Sequence, residues 1–397
     1  MPYAEGRVFY DADSHLMETS DWLISYADPD LRDRIRPLNL GGAGKMADEA
    51  VRQADARRVG GVELAETEGQ LLTRKGWHAY GAFDGSERSR ALDLLGFDKQ
   101  LVFSTFAPTQ FLGDDLELLY GGTRAHNRAM AEFCADDDRL IAVGLVPLQD
   151  PTRAAEAVDE ALAFGCGAIL VPSHPPRTHS PTHPDLDGVW ARLQDAAVPL
   201  TLHVGGGGRP LRPSFHENGR PRPTDFLGGG ENIRSKDYMV LHNPPEVFIA
   251  AMILDGVFEK FPRLMCGVIE QGALWVPALM RRIDIAQATF QRSEPLLAAL
   301  PLKASDYIRR QVRFTPFPTE PVDWLIEQAG EELFLFSSDY PHPEGTKDPL
   351  GRFERSLAGV QDRAGALRLV APLRPAVQGF HKDRAGGSAS HRRTGGR

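Results

Sequence analysis

Asp11-Ala12-Asp13-Ser14-His15 closes the first apolar run of this sequence, directly after Val8-Phe9-Tyr10. Residues two apart in a β-strand point to the same face of the sheet. A strand at this place therefore presents the Asp13 carboxylate and the His15 imidazole side by side. Such a pair is a two-ligand half-site for a divalent ion of the zinc, manganese or iron kind. Because an isolated Asp-x-His is common, its meaning depends on whether the rest of the chain supplies further ligands.

A second polar stretch, Ser338-Asp339-Tyr340-Pro341-His342, closes another strongly apolar run near the end of the chain. Between the two, short runs rich in aliphatic and β-branched residues alternate with helical patterns, which indicates βα units and a parallel sheet. Eight such runs match the number of strands in a closed (β/α)8 barrel. We therefore predict an α/β fold, a distorted TIM barrel, with strands near residues 7–12, 100–105, 140–146, 167–172, 198–203, 264–270, 311–315 and 333–338.

Two of the βα connections are much longer than a barrel requires. They fall near residues 16–99 and 204–245, and both leave the carboxyl ends of strands, where barrel enzymes place their chemistry. Loops of this length are either lids and binding loops or surface insertions, and the sequence leaves both open. We predict one domain over residues 1–378, followed at 379–397 by a disordered basic tail rich in Gly, Ser and Arg.

The composition argues against several classes of partner. The chain has 397 residues, a formal net charge of −9 at pH 7 and three cysteines. The negative charge disfavours nucleic acid or an anionic membrane as a main partner. The cysteines lie far apart without CxxC spacing, which disfavours a disulfide framework or a thiolate zinc site. We find no signal-peptide pattern and no membrane-spanning apolar run, so we expect a cytoplasmic protein that acts on a small molecule.

Two further polar residues stand at the ends of predicted strands. His203 ends the run from Val198 and is followed at once by glycines, and Asp339 ends the run from Leu333. Together with Asp13 and His15 they supply two imidazoles and two carboxylates from strands one, five and eight. This donor set suits a mononuclear catalytic metal site with an open position for water or substrate. Each residue alone is more often a loop cap, so the joint placement carries the prediction.

The strand-end pattern resembles the amidohydrolase superfamily, in particular its amidohydrolase-2 branch, which includes aminocarboxymuconate-semialdehyde decarboxylase and related enzymes. The stretches 94–98, 172–175 and 255–262 add to the resemblance. It implies a barrel, metal ligation by Asp13, His15, His203 and Asp339, and a proton-handling role for Asp339. Family members are often dimers, so the resemblance also implies a possible homodimer.

Two departures from the family shape the expected mechanism. Binuclear members use a carboxylated lysine on strand four, yet no lysine occurs between Lys99 and Lys236. We therefore expect one divalent ion, zinc first, with manganese or iron as alternatives. Decarboxylases of the branch usually carry a histidine at the end of strand six, where this chain has Glu270. That carboxylate is either a further ligand, a general acid/base or a salt-bridged structural residue.

Several other residues are candidates for the site. His342 lies three residues after Asp339 and is a candidate catalytic residue that reaches the substrate or orients a ligand. The candidates for substrate binding follow strand four, lie in the first long loop, or lie on strand seven; an ordinary loop or solvated role is the alternative for each. They are His174, Arg74, Trp77, His78 and Arg313.

These residues predict a metal-dependent enzyme that acts on a small carbonyl or carboxylate compound, possibly aromatic, with Asp339, Glu270 and His342 as the catalytic side chains. Because Glu270 replaces the histidine of the decarboxylases, we predict a hydrolase. The alternative is a non-oxidative decarboxylase of an aromatic or semialdehyde acid. A metal-binding scaffold without catalytic activity is a third possibility. Metal content and products would separate the three.

Overall fold

The computed structural model describes residues 2–6, 8–60, 69–206, 211–221 and 233–357. Over this part of the chain, seven parallel strands form one sheet in sequential order. They are β1 (Tyr10–Leu16), β2 (Lys99–Ser104), β3 (Leu140–Leu145), β4 (Ala168–Leu170), β5 (Leu200–His203), β6 (Cys266–Ile269) and β7 (Val312–Phe314). Every neighbouring pair is parallel, as repeated βα units require.

The predicted eighth strand, near 333–338, is not a regular strand. The segment from Phe334 to Tyr340 nevertheless lies between β7 and β1, since Phe334 bridges Phe314 and Tyr340 bridges Ser14, both in parallel. Regular pairing fails because the backbone N–H of Ser338 donates to the side chain of Asp11 instead of a neighbouring strand. The prediction of eight strands is corrected to seven, with this segment in the eighth position. The predicted TIM-barrel fold is confirmed.

Helices flank the strands and cover the outside of the sheet. In chain order they are α1 (Trp22–Tyr26), α2 (Gly44–Gly60), α3 (Gly85–Leu95), α4 (Leu116–Phe133), α5 (Pro151–Phe164), α6 (Asp187–Asp195), α7 (Ser235–Tyr238), α8 (Asn243–Leu254), α9 (Val257–Lys260), α10 (Val276–Phe290), α11 (Pro295–Ala299), α12 (Ala304–Gln311), α13 (Val322–Ala329) and α14 (Pro349–Ser356). Short 3-10 turns lie at Gly41–Ala43, Gly76–His78, Ala107–Gln110, Pro184–Leu186, Pro213–His216 and Glu331–Leu333.

Helix α5 shows how the sequence sets these boundaries. The Asp150 side chain accepts from the backbone N–H groups of Thr152 and Arg153, and Pro151 occupies the first helical position. Gly165 ends the helix with a φ of 103°, a left-handed conformation that glycine adopts without steric cost. Its buried residues are Ala154, Ala157, Val158 and Ala161. This i, i+3, i+4, i+7 spacing faces the sheet.

A small apolar cluster fills the barrel interior. Its side chains come from five strands and from the segment in the eighth position, so they can meet only inside the barrel. They are Ala12, Leu101, Phe103, Val143, Ala168, Ile269 and Leu335. Because this cluster is apolar, the polar side chains at the strand ends lie above an apolar layer.

The two long connections differ in how much of them the structure describes. Between β1 and β2, helices α1 to α3 pack onto the barrel, and Trp77 and Tyr80 are buried. The described part of the second connection comprises 204–206, 211–221 and the residues from 233 onward. The predicted disordered tail at 379–397 lies outside the described residues. Over the described part of the chain, no helix is long and apolar enough to cross a membrane.

Candidate metal centre

Four ligand-type side chains meet at the carboxyl ends of β1, β5 and β6: Asp13, His15, His203 and Glu270. Asp13 Oδ1 lies 3.3 Å from His15 Nε2 and 3.3 Å from His203 Nε2. The same His203 Nε2 lies 3.5 Å from Glu270 Oε2. These distances place two imidazole nitrogens and two carboxylates around one point, in a buried setting. The arrangement suits a divalent ion.

A second group shares His15 with the first and adds Asp339 and His342. Asp339 Oδ1 is 3.7 Å from His15 Nε2 and 3.0 Å from His342 Nδ1. The rings of His15 and His342 stack with their centres 3.8 Å apart. The four predicted ligands therefore converge, and Glu270 and His342 flank them on opposite sides. Their roles as ligands remain a prediction that the geometry supports.

A β-bulge aims the ligands of β1. The register between β1 and β2 shifts between Asp11 and Ser14, which inserts one extra residue into β1. Bulges re-aim side chains and are frequent beside active sites. Here Asp13 and His15 turn toward His203, whereas Asp11 turns toward Gln100 on β2, whose Nε2 donates to Asp11 Oδ2 at 2.8 Å. Strand β1 also starts and ends later than predicted, because the buried polar pair lies within it and not after it.

Two of the acidic residues have a strained backbone. Glu270 has a φ of 54° and Asp339 a φ of 51°, in the left-handed region that disfavours residues with a side chain. Each is held by a hydrogen bond: the Glu270 N–H donates to Thr315 Oγ1 at 2.8 Å and the Asp339 N–H donates to Asp13 O at 2.9 Å. A strained backbone conformation persists only where surrounding contacts hold it in place, and such conformations are concentrated at functional sites.

The hydrogen bond at the far side of His203 fixes which nitrogen faces the cluster. His203 Nδ1 lies 3.0 Å from Val204 O, and since a carbonyl only accepts, Nδ1 carries the proton. In the neutral ring, the lone pair of Nε2 then points at the carboxylates of Asp13 and Glu270. Lone pairs that face one another in a buried site need a proton or a metal ion between them. The donor set therefore fits a metal ion.

Two more atoms support this fit. His15 Nε2 and Asp339 Oδ1 are buried and make no hydrogen bond of normal geometry within the described part of the chain. Buried polar atoms are otherwise almost always paired, and leaving one unpaired costs about 1–3 kcal/mol. Both atoms face the point where the two groups overlap. A metal ion at this point would satisfy both atoms.

The protonation states also suit metal binding. Burial, together with the neighbouring His342, lowers the pKa of His15 to about 4, so this imidazole is neutral at pH 7. Burial acts to raise the pKa of Asp13, but the two imidazoles outweigh it and hold that pKa well below its usual range. A neutral imidazole and an ionised carboxylate are the ligating forms of these groups.

Thr105, which directly follows β2, was not among the residues selected from the sequence. Its hydroxyl donates to Leu16 O at 2.8 Å, so it accepts from His342 Nε2 at 3.0 Å. His342 Nδ1 is thereby left facing Asp339. The buried carboxylate of Glu18 holds this loop, since it accepts from the N–H groups of Thr105 and Ala107 at 3.0 and 2.9 Å. The position of Thr105 directly after a strand was the available signal.

The predicted substrate-binding residues lie in different environments. Trp77 is buried, donates from Nε1 to Glu18 O at 3.0 Å, and stacks on Phe106 with ring centres 5.5 Å apart. Arg74 Nε donates to Gln70 within its own loop. His174 is exposed after β4, and His78 is half-buried.

The structure does not bring Arg313 to the site. Its guanidinium donates to Arg309 O at 3.0 Å and to Val312 O at 2.8 Å. Both carbonyls lie at the amino end of β7, whereas the ligand atoms lie at the carboxyl ends of the strands. The side chain therefore stabilises the start of this strand.

The family model of the amidohydrolases matches residues 77–362, most of the chain. The chain therefore belongs to the amidohydrolase family, and the predicted enzyme class, a hydrolase or carboxy-lyase of this superfamily, is confirmed. The match begins after Asp13 and His15, which the fold brings to His203 and Asp339.

Curated relatives are more specific about the reaction. The chain is 26% identical over 203 residues to the decarboxylase orsB of Emericella nidulans, a match that covers 51% of this chain and 58% of that protein, less than two thirds of its length. It is 24% identical over 268 residues to a gamma-resorcylate decarboxylase of Rhizobium sp., which covers 64% of this chain and 76% of that protein. These names overturn the predicted hydrolase and favour the decarboxylase alternative. The presence of Glu270 does not by itself indicate a hydrolase, because a carboxylate can also serve carbon protonation.

Solved structures support the fold and show what some neighbours bind. An amidohydrolase of Mycobacterium avium subsp. paratuberculosis K-10 has a TM-score of 0.69 at 23% identity, over 92% of this chain and 97% of that one. A dihydroxybenzoic acid decarboxylase of Polaromonas sp. JS666, crystallised with manganese and the inhibitor 2-nitroresorcinol, has a TM-score of 0.60 at 18% identity, over 94% and 100%. The manganese belongs to that neighbour, and the zinc predicted for this chain is not confirmed.

Proposed function

We propose that this chain is a metal-dependent, non-oxidative decarboxylase of a small aromatic acid that carries hydroxyl groups. The observation that carries the proposal is the pair Asp339 and His342 at the edge of the ligand cluster, with Oδ1 and Nδ1 3.0 Å apart. An acid at this place can deliver a proton to a carbon atom bound beside the metal. The names of the relatives, orsB and gamma-resorcylate decarboxylase, support this reaction and this substrate class.

One divalent ion would be held by Asp13, His15, His203 and Asp339, with Glu270 as a further ligand or as an acid/base beside His203. When bound, such an ion supplies positive charge that polarises the oxygen atoms of the substrate. With Glu270 as a fifth ligand, the set would contain three carboxylates and two imidazoles. Carboxylates suit manganese, whereas imidazoles suit zinc.

In the proposed reaction, the ring carbon that bears the carboxylate takes a proton. The bond between that carbon and the carboxylate carbon then breaks, its electron pair returns to the ring, and CO2 leaves. Asp339 gives the proton from its carboxyl group. His342 exchanges that proton through Nδ1, because its Nε2 donates to Thr105. General acid catalysis of this kind contributes about 10²- to 10⁴-fold to the rate.

The walls around the ligands keep the reacting atoms dry. Phe103 is buried and contacts both imidazoles, with ring centres 5.9 Å from His15 and 4.6 Å from His203. A low-dielectric floor strengthens the attraction between a bound anion and the metal. His174 follows β4 at the same edge of the sheet, and although the residue is exposed, partial desolvation of its ring lowers its pKa. We propose that its neutral imidazole contacts the substrate.

The test is a product assay with Mn²⁺-loaded protein and a panel of hydroxybenzoic acids in D₂O. We expect CO2 release and one deuterium on the ring carbon that carried the carboxylate. Asp339→Asn should lose this activity, whereas Arg313→Lys, at the other end of the barrel, should keep it. Water-dependent opening of an ester, lactone or ring substrate without CO2 release would refute the proposal.

A further inference from the structure

A buried carboxylate that is not among the ligands lies behind the metal centre. Asp11 is 2% exposed, and its two oxygens accept from four donors. Oδ1 accepts from the N–H of Ser338 at 2.8 Å and from that of Asp13 at 3.3 Å. Oδ2 accepts from Ser338 Oγ at 2.5 Å and from Gln100 Nε2 at 2.8 Å. Asp11 thus joins β1, β2 and the segment in the eighth position.

An arginine supplies the opposite charge. Arg88 on α3 is fully buried, and its Nη1 donates to Gln100 Oε1 at 3.3 Å. Because Oε1 of Gln100 faces Arg88, its Nε2 must face Asp11, so one amide separates the two charges. Arg88 also donates to His15 O at 2.5 Å, and its guanidinium lies 5.1 Å from the centre of the Tyr340 ring.

These contacts lie on both sides of the strained Asp339. Ser338 precedes it and is bound to Asp11 through both N–H and hydroxyl, while the same hydroxyl accepts from the Tyr340 N–H at 3.2 Å. On the other face, a Cβ at Gly345 would lie 2.4 Å from Ser338 O, so only glycine permits this close approach. The turn that carries Asp339 is therefore clamped, and Asp11 is the clamp on the β1 side.

We propose that Asp11 is a positioning residue of the metal centre: it fixes Ser338, and thereby Asp339, at the distance from Asp13 and His15 that metal binding requires. The inference rests on the proposed metal centre and adds a residue to it. Partners of this kind typically change metal affinity by about 10- to 100-fold when they are removed.

The contacts explain why an amide cannot replace this carboxylate. All four neighbours donate, and an asparagine at position 11 would turn one oxygen into an NH₂ group that accepts nothing. If Oδ1 is replaced, the N–H of Ser338 faces another donor. If Oδ2 is replaced, Nε2 of Gln100 faces another donor, and the Ser338 hydroxyl must turn from donating to accepting.

The experiment is a Mn²⁺ titration by calorimetry of the full chain, with the melting temperature of each metal-free variant measured alongside. Asp11→Asn should weaken Mn²⁺ binding about 10- to 100-fold, and Ser338→Ala, which loses one of the two Ser338 bonds, should weaken it less. In the double variant the effects should not add, since both remove one interaction.

The matched control is Asp137→Asn. Asp137 is another mostly buried carboxylate, bound to Arg139 at 2.6 Å and to Ser89 at 2.5 Å, but it precedes β3 at the opposite end of the barrel. The Asp137→Asn substitution should lower the melting temperature and leave the Mn²⁺ affinity as in the wild type.

The outcomes of the Mn²⁺ titration distinguish the proposed metal centre from the positioning role of Asp11. If wild-type protein binds no Mn²⁺, Zn²⁺ or Fe²⁺, the proposed metal centre is refuted and the positioning role with it. If the wild type binds Mn²⁺ and the variants at positions 11 and 338 bind it equally well, only the positioning role is refuted. Should Asp11→Asn fail to fold, Ser338→Ala decides by the same criterion.

Discussion

The two strained acidic residues of the site, Asp339 and Glu270, are supported in different ways. Each follows an apolar run, adopts a positive φ and faces an imidazole of the cluster. Asp339 sits in a turn clamped by Asp11, whose charge is balanced through Gln100 by the buried Arg88. Glu270 precedes a turn organised by a different buried carboxylate, that of Glu320.

Within the described residues, the hydrogen bonds that Glu320 accepts come from backbone groups. It accepts from the N–H groups of Ala273 and Phe317 at 2.8 and 2.9 Å, and burial raises its pKa against those hydrogen bonds. Gly272 permits the close approach, since a Cβ there would lie 2.8 Å from Glu320 Oε1. Beside Asp339, the opposite charges of Asp11 and Arg88 are bridged by the Gln100 amide. Beside Glu270, the Glu320 carboxylate is surrounded by backbone N–H groups. We infer that Asp339 is held more rigidly, as a proton donor requires.

Replacing the acids themselves should give the largest difference between the two sides. Asp339→Asn should lower kcat about 10²- to 10⁴-fold, because it removes the proposed proton donor. We expect a smaller loss for Glu270→Gln, which keeps the side-chain volume and one oxygen that can ligate. Both kcat values would be measured by CO2 release at saturating Mn²⁺. Equal losses would mean that the two acids share one role.

Arg88→Met should show what the buried counter-charge contributes. Methionine roughly fills the volume but leaves Asp11 and the acceptor atom of Gln100 without their partner. Removing one member of a buried charged network costs about 3–5 kcal/mol. We therefore expect a lower free energy of unfolding in urea for the metal-free protein, and weaker Mn²⁺ binding. Arg58→Met is the control, since Arg58 forms an ion pair with Asp84 at 2.9 Å while its side chain is half exposed. If Arg88→Met lowers the free energy of unfolding no more than Arg58→Met does, the proposal that Arg88 balances the charge of Asp11 is contradicted.

Much of the site was predictable because its residues stand where strands end. Asp13, His15, His203 and Asp339 each follow or close an apolar run, so their convergence follows from the parallel barrel. The clamp was not predictable, because the contact between Asp11 and Ser338 accompanies a bulge in β1 that the apolar pattern does not show. The same contact explains why the eighth strand is irregular, as it diverts a backbone N–H from the ladder.

The direction of side chains and the choice of reaction were beyond the sequence. Arg313 lies on the predicted strand, yet its guanidinium turns to carbonyls at the amino end. Whether Glu270 activates water or serves carbon protonation depends on the substrate beside it and not on residue type, so the prediction of a hydrolase was wrong. The roles of His174, Arg74 and His78 stay predictions.

A smaller effect on stability and Mn²⁺ affinity is expected when the Glu320 carboxylate, which accepts from backbone N–H groups near Glu270, is replaced. Glu320→Gln turns one oxygen into an NH₂ group that faces N–H donors, which costs about 1–3 kcal/mol for each donor left unpaired. The free energy of unfolding in urea should fall by this amount, with Mn²⁺ affinity reduced less than in Asp11→Asn. A reduction as large as that of Asp11→Asn would place both carboxylates in the same role.

The smallest effect is expected for Thr315→Val, which tests the single hydrogen bond that holds the strained Glu270 backbone. Valine keeps the shape of threonine but leaves the Glu270 N–H without the acceptor that lies 2.8 Å away. Leaving this one donor unpaired costs about 1–3 kcal/mol. It is the counterpart of Ser338→Ala, since each removes one hydroxyl beside one strained acid. If Asp339 is the more tightly positioned ligand, Mn²⁺ titration will show the larger loss of affinity for Ser338→Ala. The reverse order would identify Glu270 as the ligand whose position matters more.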